Sequence, residues 1–173
     1  MSVPEVQVED RSGYEIDTVR TAGLASAILL RLGYTGGELG VTYVTADEMA
    51  LLNHEYMGSD GVTDVLSFPL ETMAAEVETG FLAELEAGEQ MVISGLMPVS
   101  GSGSDVAPLL LGDVVICPEA AAGQAAGMGN TVARELCLLL VHGILHIAGF
   151  DHEADDGRME RLQKKLFDEM CVA

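Results

Sequence analysis

Apolar and polar residues alternate through Val3–Val8 and again through Leu39–Val44, the two-residue period of half-buried strands. Between them, Ile16–Leu32 changes to helical spacing, with Val19, Gly23, Leu24, Ala27 and Ile28 on its expected inner face. Gly36 and Gly37 break that pattern before the second strand. Thr45 and Glu48 stand three apart as a capping box, which predicts a helix to about Tyr56 with Met49, Leu52 and Tyr56 inward. A loop over Gly58–Gly61 leads to a short strand, Val65–Phe68, stopped by Pro69. The apolar run Gly112–Cys117 predicts a buried strand, and Pro118 suits the first turn of a helix reaching about Gly127. Thr131–Ala148 is apolar nearly all round and is expected to be a buried central helix. Asp155–Met170 is amphipathic, with Met159, Leu162, Leu166 and Met170 inward. Four strands interleaved with about five helices predict an α+β (α/β-like) fold, a small mixed sheet packed with helices, in one domain over residues 1–173.

Between Glu71 and about Leu110 the pattern lapses. The stretch holds seven acids, no base and the run Ser100-Gly-Ser-Gly-Ser104, and is expected to be a mobile surface insertion. Phe81–Ala87 is the one place in it that suits a short helix.

The charge narrows the function classes. Net −20 comes from 28 acids against 8 bases, and no Lys or Arg lies between Arg31 and Arg134. A general nucleic-acid binder carries the opposite field. Arg158, Arg161, Lys164 and Lys165 gather near the C-terminus, either as a solvated helix face or as a small local anion site. The longest apolar stretch, Leu136–Phe150, is interrupted by two histidines and falls short of a membrane span. The N-terminus lacks the basic and apolar regions of a signal peptide. Cys117, Cys137 and Cys171 are odd in number and widely spaced, which points to free thiols in a reducing cytoplasm. The expectation is a soluble cytoplasmic protein without a membrane partner.

Three of the four histidines fall between positions 142 and 152. His142 and His146 share one helical face, and Gly149 can end the helix with a left-handed residue that brings His152 back to them. Three imidazoles with a fourth position open are the ligand set of a catalytic zinc site. The spacing matches zinc peptidases of the metzincin type, which need a glutamate directly after the first histidine; here that position is Gly143. A purely structural zinc is the alternative, with Asp151 the nearest further oxygen, better suited to supporting a ligand or capping the helix than to binding. His54, on the Thr45-capped helix, is either exposed and inert or a cleft residue acting as proton donor or phosphate partner.

His-Gly-Ile-Leu-His-Ile-Ala-Gly-Phe-Asp-His over 142–152 resembles the YbeY family signature, HGxLHLxGYDH. Leu52–Tyr56, Gly58, Asp60 and Thr63–Pro69 are similar to its LNxxYRGxDxPTDVLSFP segment, and Leu111–Ile116 to its LGDI strand. The resemblance covers about residues 40–70 and 110–170. It implies a metal-dependent endoribonuclease of ribosomal RNA maturation, with His142, His146 and His152 as zinc ligands and Asp64 and Ser67 lining or supporting the cleft. One departure is Met57, where the family usually has an arginine implicated in phosphate contact or catalysis; either another base such as Arg158 or Arg161 holds the phosphate, or activity is weaker or differently tuned. The acidic insertion is also longer than the family's connection.

The chemistry expected is hydrolysis of a single-stranded RNA phosphodiester, with one Zn2+ held by three histidines and a water whose pKa falls toward ~7. Asp151 or Asp64 would orient ligand and water. The resemblance further implies small-subunit rRNA 3′-end maturation and ribosome quality control, with RNA and the small ribosomal subunit or its proteins as partners. An assembly factor with a structural zinc is the rival class. A peptidase is the third, and Gly143 argues against it.

Overall fold

The computed structural model describes residues 3–70 and 109–171. The acidic segment expected over 71–110, with its short helix, therefore lies outside the described residues except for Leu109 and Leu110. The elements follow in the order β1 (Glu5–Asp10), α1 (Thr18–Arg31), β2 (Glu38–Tyr43), α2 (Ala46–Met57), β3 (Val65–Pro69), β4 (Leu110–Ile116), α3 (Pro118–Met128), α4 (Val132–Ile147) and α5 (Arg158–Met170). This is the α+β arrangement expected, a four-stranded mixed sheet with five helices among the described residues.

Strand order is β1-β2-β4-β3, with β1, β2 and β4 parallel and β3 antiparallel to β4 at the edge. Glu38 pairs with Leu110 and Leu39 with Gly112, so Leu111 is an extra residue on β4. The bulge keeps Leu111 on the same inner face as Val114 and Ile116, all fully buried. Gly112 pivots it at φ +143, where an added Cβ would press on Ile147 at 2.8 Å.

Helices α1 and α4 pack on the inner face, and α5 packs along α4. The core between them holds Ile28, Leu29, Leu39, Val41, Leu140, Ile144 and Leu145, all essentially inaccessible. Each such side chain stabilises the fold by roughly 1.5–3 kcal/mol relative to leaving it exposed. A second cluster, Val44, Met49, Leu66, Val115 and Cys117, lies where α2 reaches the sheet.

The N-terminal half of the predicted capping box forms. Thr45 accepts from the Glu48 amide, though Glu48 turns its own carboxylate to Arg11 instead of closing the capping box. Thr131 caps α4 by accepting from the Arg134 amide, and Gly129 in the left-handed region bends α3 against α4 by 117°. Two inner faces differ from expectation. In α1 the buried residues are Thr21, Ala25, Ile28 and Leu29, while Val19 is 82 % exposed and Gly23 and Ala27 also face out. Thr21 enters the core because its hydroxyl donates to the Asp17 carbonyl and meets the Tyr43 hydroxyl at 3.2 Å. In α2, Tyr56 is exposed and Asn53 is buried, its amide donating to the Gly61 carbonyl and fastening the following loop.

The cysteine expectation holds only for Cys117, which is free and buried. Cys137 and Cys171 form a disulfide with Cα atoms 6.2 Å apart. Thirty-four positions separate them in sequence, so only the pairing of α4 with α5 reveals the link. Among the described residues no single helix is long and apolar enough to cross a membrane.

Candidate metal centre

His142 and His146 lie one turn apart near the C-terminal end of α4. The helix then stops in a Schellman turn: the Gly149 amide donates to the His146 carbonyl at 3.0 Å and the Phe150 amide to Leu145 at 3.0 Å. Gly149 takes φ +92, as its position predicts. Asp151 tightens the next turn, its Oδ1 accepting from the Glu153 amide at 3.0 Å and its carbonyl from Ala154 at 3.2 Å. This turn returns His152 to the helix face. Ring centroids are 4.7 Å apart for His142 and His146, 5.6 Å for His142 and His152, and 5.4 Å for His146 and His152.

One nitrogen from each ring lies within 4.8 Å of the others, and the Nε2 atoms of His142 and His146 are 3.1 Å apart. Tetrahedral zinc at about 2.0–2.1 Å from nitrogen sets its ligand nitrogens ~3.4 Å apart, inside that spread. The donor set therefore fits a borderline metal ion that accepts imidazole. Burial first, then the neighbouring His142 and His152, hold the His146 pKa below the ordinary value of 6.5, so at neutral pH it offers a lone pair. His152 is exposed, which leaves the outer side of the cluster open.

A residue not foreseen from sequence fixes the first ring. Gln163 on α5 places Oε1 2.7 Å from Nδ1 of His142, so that nitrogen carries the proton and Nε2 is turned to the cluster. In sequence, Gln163 is one polar position beside the Met159–Leu162–Leu166 stripe, and only the packing of α5 on α4 distinguishes it.

Gly143 faces the sheet. A Cβ there would lie 2.5 Å from Val114 Cγ1 and 3.3 Å from Ser67 Oγ. The position that bears the peptidase glutamate in metzincins is thus a point of contact with β4, without room for a carboxylate. Ser67 supports the same contact by donating to the Gly143 carbonyl at 3.1 Å. Asp64 acts at the start of β3: Oδ1 accepts from the Val65 amide at 2.8 Å, and Oδ2 from Gln124 of α3 at 2.8 Å.

The remaining candidates are His54, Met57, Arg158 and Arg161. His54 is exposed, with Nδ1 2.9 Å from Asp60. Met57 is exposed at the end of α2, before the left-handed Gly58. Arg158 and Arg161 open α5, exposed, and Arg161 donates to the Asp156 carbonyl at 3.2 Å. At 100° per residue they lie roughly 140–160° around the helix from Gln163, so they do not share its face.

Comparison with known proteins adds an independent line. Residues 7–171 match the family model described as Endoribonuclease YbeY. A Salinispora tropica protein named Endoribonuclease YbeY is 38% identical, the match covering 93% of this chain and 92% of that one. One of the same name from Acidothermus cellulolyticus is 36% identical, over 93% and 88% of the two chains. A solution structure of a Thermotoga maritima protein superposes with a TM-score of 0.55 at 25% identity, covering 95% of this chain and 88% of that one.

Proposed function

The chain belongs to the YbeY family of endoribonucleases, metal-dependent hydrolytic enzymes involved in rRNA processing, and from that premise we propose that His142, His146 and His152 hold one zinc ion at which single-stranded RNA is cleaved. The observation that carries the reading is the convergence of three imidazoles with an open outer side. A closed four-ligand site would suit a structural zinc; three ligands and an exposed flank suit a catalytic one. When bound, the ion supplies a water of lowered pKa and polarises a phosphoryl oxygen.

The chain's own residues do the rest. Gln163 keeps the His142 proton on Nδ1, and the desolvated His146 stays neutral through the physiological range. The Schellman turn at Gly149 and the Asp151 turn fix His152 opposite the helix. Ser67 and Gly143 seat α4 on β3 and β4, so the two helical imidazoles keep their spacing. Gly143 follows the first histidine, so no carboxylate stands where a metzincin carries its general base. Arg158 or Arg161 would meet substrate phosphates only outside the face that carries Gln163. Asp64 supports the site through β3, and His54 serves best as a surface residue.

Small-subunit rRNA 3′-end maturation, contact with the small ribosomal subunit or its proteins, and cytoplasmic location belong to the same proposal. The test compares wild type with His146→Ala on an unstructured RNA, with metal content measured on both. Wild type is expected to hold one equivalent of zinc and cleave, while the variant loses both. Equal cleavage by the two proteins would overturn the assignment.

A further inference from the structure

Helix α5 is the outer layer of the fold. It rests on α4 and, over a smaller contact, on α1, with no strand among its principal neighbours within the described residues. Met159, Leu162, Leu166 and Phe167 bury one face of it, and a surface ion pair, Arg31–Glu169, holds its last turn. An outer helix attached in this way belongs to the part of a fold that opens first.

Two further links tie α5 to the histidine helix. Gln163 accepts from Nδ1 of His142 at 2.7 Å, and Cys171 is bonded to Cys137 of α4. At 1.5 Å per residue, Cys137 lies ~7.5 Å along α4 from His142, and Cys171 ~12 Å along α5 from Gln163. The two cysteines stand 34 positions apart, and the covalent ring they close contains His142, His146, His152 and Gln163 together. The bond is also within reach of solvent. Both cysteines are half-buried and line a surface cavity of about 470 Å³ between the N-terminal ends of α1 and α4, whereas Cys117 is sealed in the core.

We propose that Cys137–Cys171 is a reversible redox clasp on the metal centre. Closed, it holds α5 and Gln163 against His142; opened by a dithiol reductant, it lets α5 lift and zinc leave more readily. The inference rests on the histidine assignment proposed above. A closed ring confines α5 at both ends, which raises the cost of lifting it. With the bond broken, α5 is joined covalently to α4 only through the connecting turn. Gln163 is a positioning residue, so what lifting removes is the orientation of His142, not a ligand.

The step balances as thiol–disulfide exchange. One thiolate of the reductant attacks Sγ of either cysteine, breaking the protein S–S bond and forming a mixed disulfide, and the displaced thiolate takes up a proton. The second thiolate of the reductant then attacks its own mixed sulfur and releases the other cysteine, which is protonated in turn. The protein gains two electrons and two protons, and the reductant leaves as an internal disulfide.

The experiment compares the intact chain oxidised with glutathione disulfide and the same chain reduced with dithiothreitol, then freed of it under inert gas. Alkylation and mass should count one free thiol in the first, Cys117, and three in the second. In metal-free protein, amide exchange over α5 should be at least about tenfold faster after reduction, and the acceleration larger there than in β4. Zinc affinity, by competition with a chelator, should fall at least about threefold, within the 10–100-fold that outright loss of the Gln163 contact would bring. Cys137→Ser with Cys171→Ser should match the reduced protein after either treatment, which separates the clasp from zinc captured by new thiols. No disulfide formed on oxidation, equal α5 exchange, or equal zinc affinity in the two redox states would each overturn the clasp. No zinc bound in either state would overturn the histidine assignment and the clasp's role with it. Reduced wild type carries the comparison if the serine variant does not fold.

Discussion

Replacing Gly143 by alanine tests the seat of the histidine helix directly. The added methyl carbon would stand 2.5 Å from Val114 Cγ1 and 3.3 Å from both Val114 Cγ2 and Ser67 Oγ. Val114 is fully buried on the central strand β4 and β-branched, so it cannot swing aside, and α4 must lift instead. Overpacking of this kind costs about 1–3 kcal/mol, and a contact this short belongs at the upper end. Helix propensity returns about 1 kcal/mol, because alanine is the better helix former. The net expectation is a loss of about 1–2 kcal/mol, a fall in Tm of roughly 2–8 °C for a chain of this size. Gly123→Ala is the matched control: it lies inside α3 with nothing within 4 Å of its Cβ, and should stabilise by up to about 1 kcal/mol. Thermal denaturation of both variants, without added metal, measures the difference. If Gly143→Ala melts at or above wild type, the account of a forced close approach between α4 and β4 is wrong.

Other consequences are equally open to measurement. Gln163→Leu leaves Nδ1 of His142 without its partner and should weaken zinc binding about 10–100-fold in calorimetric titration, with the metal-free Tm little changed. Burial pushes the Tyr34 phenol up to about 12, and its hydroxyl has no partner among the described residues. Above pH 10 the unfolded chain gives up this proton while the folded chain keeps it, so stability falls as pH rises, by about 2 kcal/mol by pH 12. Tyr34→Phe should flatten that decline in denaturant melts, though Tyr43, also raised by burial, keeps some of it. RNA affinity should depend weakly on salt, because only 8 bases serve 173 residues; a steep slope would show that several phosphates are neutralised at once.

What the sequence disclosed follows a physical division. Strands β1, β2 and β4 and helices α4 and α5 announce themselves by period, and Thr45, Thr131 and Gly149 by local backbone chemistry. The histidine cluster was legible for the same reason: all its members lie within one helix and one turn. Gln163, the role of Gly143 and the Cys137–Cys171 bond were not, because each depends on which elements meet. Val19 and Tyr56 misled because apolar character alone marks an inner face only when no polar residue is satisfied inside. Thr21 and Asn53 are satisfied, and they take those places.

The contiguity of the three imidazoles also bears on how metal and folding are linked. Positions 142 to 152 need only one helical turn and a Schellman turn to come together, with no distant strand required. An unfolded chain that fleetingly forms this turn already presents a chelating His-x3-His pair. Ligand stabilisation follows RT ln(1 + [L]/Kd) only when the unfolded state does not bind. Zinc should therefore raise the melting temperature less than its affinity for the native protein implies. Nascent chains could also acquire the ion before β4 and α5 are docked around it.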